Sequence, residues 1–160
     1  MKASELNPQT SYPDFPEFQR YSLPLDKLNA ATLITLQTVR DRTGIPVIPS
    51  PLPDGWARTD GSKTSRHYAV GRLSDAGDIF PARGRCMELW ARLQAVQNIG
   101  AVGLYCDTRG PDGAPWPMIH FDLRNARNKL LWARDGDYFY LHKQPGRFWQ
   151  IVQKIIDMEA

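Results

Sequence analysis

The stretch SRHYAVGRLSDAGDIFP, from residue 65 to residue 81, brings together several side chains that could do chemistry. His67, Asp75 and Asp78 are all of types that bind metal ions. A polar stretch with one histidine and two aspartates is, in most proteins, only a surface loop. The stretch is therefore either such a loop or one half of a metal site whose remaining ligand lies further along the chain.

The chain has two other histidines, His120 and His142. His120 lies in MIHFDLR, which alternates as a half-buried strand does, so His120 and Asp122 share one face while the apolar residues between them point to the other. Taken alone, a histidine on a strand is usually a hydrogen-bonded structural residue. His142, at the end of the last predicted strand, is interpreted as a surface residue.

Taken together, the two stretches resemble the zinc D-alanyl-D-alanine peptidases of the LAS group, which comprises lysostaphin-type, D-Ala-D-Ala-type and hedgehog-type metallopeptidases. That family carries a phrase like S-x-H-x-x-G-x-A-x-D, then a helix, then a strand with a final histidine in a phrase like H-x-D-x-R. The likeness runs from about Leu33 to Leu141. The matching segments are SRH at 65–67, AGDI at 76–79, VGLY at 102–105, IHFDLR at 119–124, and Trp132.

The resemblance implies a Zn²⁺ ion held by His67, His120 and one aspartate of the first phrase. Asp75 and Asp78 follow His67 by eight and eleven residues, both farther than is usual in the family. We favour Asp78 as the ligand, because Ala76-x-Asp78 followed by an apolar residue reproduces the family phrase, and we keep Asp75 as the alternative. Two imidazoles and one carboxylate leave a tetrahedral zinc ion one open position, as in catalytic sites.

The general base is the main departure from the family pattern. Many members have a glutamate three residues before the final histidine, and here that position is Pro117. A replacement base must come from elsewhere in the chain. Asp122, which shares the face of His120, is the first candidate, and Asp75 and Asp107 are further ones. A positioned base contributes about 10²–10⁴-fold to rate, so its loss would leave a slow enzyme or a metal-binding relic.

Four further side chains are candidates for substrate binding. Arg66, Arg72 and Arg124 flank the predicted ligands, and an arginine can bind a substrate carboxylate through two parallel hydrogen bonds. A structurally paired arginine is the alternative for each. Trp116, in the proline-rich segment before His120, is predicted to form a wall of the cleft.

By resemblance, the function is a zinc peptidase that hydrolyses peptidoglycan stem peptides at a D-Ala-D-Ala or L-Ala-D-Glu bond, in a phage or prophage setting. The alternative is a binding or structural module that keeps the peptidase fold without full activity, which the proline at position 117 favours. The expected partner is the stem peptide.

Composition narrows the classes of partner. The 160 residues include 20 Lys and Arg against 17 Asp and Glu, a net charge of +3, without a basic run, so we expect no nucleic-acid partner. No apolar run is long enough to cross a membrane, and the N-terminal sequence lacks the apolar core of a signal peptide. We therefore expect synthesis in the cytoplasm, with release or delivery to the cell wall by other means. The two cysteines form no CxxC pair, which disfavours a thiolate zinc site.

The elements that must position these side chains follow from hydrophobic spacing and from turn residues. They predict a single α+β domain with an antiparallel β-sheet and flanking helices. A Pro- and aromatic-rich arm, residues 1–24, precedes the peptidase-like domain, residues 25–160. The predicted helices span residues 26–42, 82–100 and 147–158, and Gly44 and Gly100 are predicted to end the first two. The predicted strands are 45–48 and a meander of 101–106, 116–124 and 138–142, with a turn at 135–136.

Overall fold

The structure, a computed structural model, describes residues 1–6, 23–110 and 112–160. Within those residues lie one six-stranded sheet and three α-helices, so the predicted α+β class is confirmed. The helices are α1 (Ala30–Thr43), α2 (Cys86–Gln94) and α3 (Pro145–Glu159). The strands are β1 (Val47–Pro49), β2 (Ala76–Pro81), β3 (Ala101–Tyr105), β4 (Met118–Asp122), β5 (Leu130–Asp135) and β6 (Asp137–Tyr140).

Helix α1 has the ends that its sequence predicts. The side chain of Asn29 accepts a hydrogen bond from the backbone N–H of Ala31 at 3.1 Å and so caps the N-terminus. Gly44 takes the left-handed conformation, with φ of 65°, and its N–H bonds the carbonyl of Arg40. The prediction that Gly44 ends the helix is confirmed.

Helix α2 is held at both ends by distant parts of the chain. The carboxylate of Glu159 accepts hydrogen bonds from the first backbone N–H groups, those of Cys86 and Met87. At the other end the ammonium group of Lys129 donates to three carbonyls of the last turn and the residues after it. Because α2 carries no side-chain cap of its own, these contacts satisfy the end groups of a short helix.

The prediction that Gly100 ends this helix is wrong, since α2 ends at Gln94. Gly100 lies just before β3, where the chain between β4 and β5 crosses. A Cβ atom built on Gly100 would lie 1.8 Å from the carbonyl oxygen of Arg124. The glycine is therefore required by close approach of two backbones, not by a helix cap.

The sheet has the order β1-β2-β4-β3-β5-β6, and all neighbours are antiparallel except β3 and β5, which are parallel. It is therefore mixed, and the three-strand meander is wrong in its order. Residues 123–129 carry the chain across the start of β3, so β5 pairs with the side of β3 that β4 leaves free. Strands β2 and β5 were not predicted.

The two faces of the sheet differ. One face packs against the helices, and β4 contributes Ile119 and Phe121 to this core, as the alternation predicts. The opposite face carries a row of residues paired in register across five strands. In order from β2 to β6 the row is Asp78, His120, Gly103, Trp132 and Tyr140.

The described part of the N-terminal segment packs on the core. Ala3 and Leu6 are buried, and the N–H of Ala3 donates to the carbonyl of Leu28 at 2.8 Å. The rest of the predicted arm, residues 7–22, lies outside the described residues. Among the residues that the structure describes, no helix combines the length and apolar composition needed to cross a bilayer.

Candidate metal centre

Two of the predicted metal ligands are neighbours in the sheet. Asp78 on β2 is the register partner of His120 on β4, so both side chains project from the same face. Nδ1 of His120 lies 2.9 Å from Oδ1 of Asp78. The strand pairing alone therefore brings a carboxylate and an imidazole together.

The third side chain, His67, comes from the segment before β2. The N–H of Arg58 donates to the carbonyl of His67 at 2.8 Å, and Arg58 forms an isolated β-bridge with Tyr68. Nε2 of His67 lies 2.9 Å from Nδ1 of His120 and 3.4 Å from Oδ1 of Asp78. Three potential ligand atoms from three segments thus converge on one point.

The group fits a metal ion in donor type, spacing and burial. Two ligands of a tetrahedral zinc ion, each about 2.0–2.1 Å from the metal, lie about 3.3 Å apart, and the three observed separations bracket that value. His67 and His120 are 7% and 4% exposed. His67, Asp78 and His120 could therefore hold a metal ion, and nitrogen and oxygen donors of this kind suit zinc and its divalent neighbours.

The charges of the group are strongly coupled. Burial by itself would raise the pKa of Asp78, but attraction by His67 and hydrogen bonds from both imidazoles hold it well below its usual range. Burial would lower the pKa of His120, but hydrogen bonds to Asp122 and Asp78 outweigh it and raise the pKa to about 9. Without a metal, the two carboxylates therefore favour the protonated form of His120, and a binding metal ion has to compete with that proton.

Asp122 lies behind His120. Its Oδ2 is 3.0 Å from Nε2 of His120, the ring nitrogen opposite the one that meets Asp78. The carboxylate is fully buried and also accepts two hydrogen bonds from the guanidinium group of Arg124 and one from its backbone. Asp122 therefore orients the imidazole, and the role of general base predicted for it does not fit this position.

Asp75 is likewise not part of the cluster. Both its carboxylate oxygens accept from the guanidinium group of Arg66, and its carbonyl accepts from the N–H of Leu123 at 3.0 Å. It does not line the cleft that contains the cluster. Through these contacts Asp75 links the segment that carries His67 to the end of β4. This position fits neither of the roles predicted for Asp75, which were alternative metal ligand and general base.

Trp132 fixes the other side of His120. The centres of their rings lie 4.9 Å apart, and Gly103 lies between them in the register of the sheet. A Cβ atom on Gly103 would lie 2.3 Å from the indole of Trp132. A glycine inside a predicted strand is a signal of such close approach, so this contact could have been inferred from VGLY.

The cluster lies in an open cleft of about 880 Å³. Of the four predicted substrate-binding residues, Arg66 and Arg124 line it, each paired with an aspartate. Arg72 and Trp116 do not line it. Arg72 donates to backbone carbonyls of its own loop, and the indole of Trp116 donates to the carbonyl of Pro81 at 2.8 Å, so both have structural partners.

The cleft also contains polar residues that were not predicted. They include Arg58, Arg109, Arg134, Tyr105, Tyr138 and Asp54. Asp107, a further candidate for the base, lines the cleft but accepts from the N–H of Gly136 and lies 3.4 Å from the guanidinium group of Arg134. His142 is exposed, as interpreted from the sequence. None of these residues stands in either of the two histidine phrases, so the phrases gave no signal for them.

Comparison of the chain with protein-family models, curated proteins and solved structures gave no match. The likeness of the two sequence phrases to the LAS peptidases stays a resemblance. The chemistry of the site therefore rests on its own geometry.

Proposed function

We propose that the protein is a zinc-dependent peptidase that hydrolyses peptidoglycan stem peptides, at a D-Ala-D-Ala or an L-Ala-D-Glu bond. One observation carries the proposal: ligand atoms of His67, Asp78 and His120 lie within 3.4 Å of one another in an open cleft. A bound zinc ion supplies a Lewis acid for the scissile carbonyl and lowers the pKa of water to about 7.

The charge of the cleft supports a substrate with free carboxylates. Its lining contains five arginines, of which Arg66, Arg124 and Arg134 pair with aspartates, while Arg58 and Arg109 have no carboxylate partner among the described residues. Stem peptides carry free carboxylates at their D-amino acids, and arginine is suited to bind such groups. The guanidinium carbon of Arg134 lies 5.4 Å and 5.7 Å from the ring centres of Tyr105 and Tyr138, and its guanidinium group lies 3.4 Å from Asp107, so these contacts orient it in the cleft.

A second candidate function is a metal-binding module that recognises the wall without cutting it. The observation that favours it is Pro117, at the position where many LAS peptidases have their glutamate. The next residue, Met118, packs with Phe80 and Tyr105 and cannot transfer a proton.

Incubation of zinc-loaded protein with purified soluble muropeptides, followed by mass spectrometry, tests the proposal. We expect a cleaved stem peptide, loss of cleavage with a chelator and in His120→Ala, and retained cleavage in His142→Ala. A protein that binds zinc and leaves every stem peptide intact would favour the module. A protein that binds no metal would contradict both.

A further inference from the structure

Contacts at both ends of the turn after β1 hold this turn next to the metal cluster. The N–H of Ser50 donates to the carbonyl of Asp78 at 2.8 Å. At the other end the indole of Trp56 is buried against Gly77, where a Cβ atom would lie 2.7 Å from it. A Cβ atom built on Gly55 would lie 3.6 Å from Cβ of Asp78. The short 3₁₀ turn Pro53–Gly55 therefore lies directly next to a predicted metal ligand.

Asp54 is at the centre of this turn and lines the same cleft as the cluster. It is exposed, and it makes no ion pair or hydrogen bond with any described residue. The other two carboxylates that line the cleft are engaged, Asp78 by the two imidazoles and Asp107 by Arg134 and Gly136. Asp54 is thus the one cleft carboxylate, among the residues described, that has no hydrogen-bond or ion-pair partner.

We infer that Asp54 is the general base of the peptidase, an assignment that rests on the proposed function. Its carboxylate takes one proton from a water molecule in the cleft as the water oxygen bonds to the scissile carbonyl carbon. When the carbon–nitrogen bond breaks, Asp54 returns that proton to the leaving amine nitrogen. No net proton or electron is gained or lost by the protein, and no further reactant is needed.

This assignment accounts for the proline at position 117. Many members of the family have the base three residues before the final histidine, whereas here that position is Pro117, which precedes β4 and carries no carboxylate. The turn after β1 supplies a carboxylate to the cleft from the opposite side of β2, and the next residue of that turn, Gly55, lies beside Asp78. The same task is thereby moved to a different segment of the chain.

Two variants test the inference. Asp54→Asn removes the base, and Asp60→Asn is the matched control, because Asp60 is exposed in the same segment and does not line the cleft. We expect Asp54→Asn to lower kcat for stem-peptide cleavage about 10²–10⁴-fold. Zinc affinity should stay unchanged in both variants, since Asp54 is not a ligand.

A binding measurement provides a readout that does not depend on turnover. Acetohydroxamic acid gives up a proton when it binds a metal, and a neighbouring carboxylate accepts it. By calorimetry, zinc-loaded Asp54→Asn should bind it about tenfold more weakly than the wild type, the size of one charge-assisted hydrogen bond, while Asp60→Asn should not change.

The failures of the two proposals are distinguishable. If the wild type cleaves no stem peptide, the proposed function fails, and the hydroxamate measurement still decides whether Asp54 accepts a proton there. Wild-type affinity for hydroxamate in Asp54→Asn overturns the inference, whether or not the protein is active. Wild-type kcat in that variant overturns it as well.

Discussion

At the scale of single residues, the two ring nitrogens of His120 have different neighbours. Nδ1 meets Asp78 and His67, whereas Nε2 meets Asp122, which is itself held by Arg124. An imidazole that bonds a carboxylate through one nitrogen has a fixed ring orientation and a more basic second nitrogen. Asp122 thus acts on the site through His120 and not by contact with substrate.

Replacing Asp122 by Asn should therefore weaken metal binding without removing a ligand. We expect zinc affinity to fall about 10–100-fold, since the imidazole loses its charged partner. Competition with a chromogenic chelator measures the change, and circular dichroism checks that the variant is folded. Unchanged affinity in folded Asp122→Asn would show that the carboxylate does not orient the ligand.

The sequence predicted which residues would come together in the cluster, but it did not predict the contacts of the aspartates around it. The preference for Asp78 over Asp75 followed from the phrase AGDI, and the structure places Asp78 in the cluster. The position of Asp122 depends on which ring nitrogen of His120 faces the cleft, and no local pattern encodes that choice. The partner of Asp75 is nine residues away, at Arg66, in a loop without periodicity.

At the scale of elements, the site is a property of strand register. The row from Asp78 to Tyr140 crosses five strands, so each site residue has a fixed neighbour on either side. Gly103 occupies the middle of the row, and its missing side chain lets the indole of Trp132 lie against His120.

Gly103→Ala should therefore be destabilising. The new Cβ would meet a rigid indole at 2.3 Å, and overpacking of this kind costs about 1–3 kcal/mol. Urea denaturation measures the loss of unfolding free energy. Gly146→Ala is the control, because a Cβ there meets nothing within 4 Å; since Gly146 lies in α3, where alanine is favoured over glycine, this variant should keep its stability or gain up to about 1 kcal/mol. Equal stability of the two variants would contradict the proposed tight packing of Trp132 on His120.

Local sequence patterns predicted the end of helix α1, but they did not predict the pairing of the strands. Helix α1 was predicted with its C-terminal glycine, because capping is a local property. The parallel pairing of β3 with β5 was not, because it depends on how residues 123–129 cross the sheet. Strand β2 was missed since its glycine and proline disfavour a strand, and pairing on both sides outweighs that preference.

At the scale of the whole molecule, the helices cover one face of the sheet and the cleft opens on the other. The buried core holds both cysteines as free thiols, Cys86 at the start of α2 and Cys106 just after β3. The α+β class was accessible from composition and spacing. The cleft was not, because its lining comes from segments far apart in the sequence.

The thiols provide a test of this core. Burial raises the pKa of Cys86 well above its usual range, and burial together with Asp135 raises the pKa of Cys106 to about 11. Since only the thiolate reacts, both cysteines of the folded protein should be alkylated slowly by iodoacetamide at pH 8, and the rate should rise toward pH 11. In urea, both should be alkylated rapidly at pH 8. Equal rates at pH 8 with and without urea, measured by mass spectrometry, would contradict the buried placement.

The central claim is that His67, Asp78 and His120 hold one metal ion, and equilibrium zinc binding tests it most directly. We predict about one zinc ion per chain for the wild type and for Asp75→Asn, the matched control, and loss of tight binding in Asp78→Asn. Elemental analysis after dialysis against a zinc buffer gives the stoichiometry. Full zinc content in Asp78→Asn, or its loss in Asp75→Asn alone, would contradict the account.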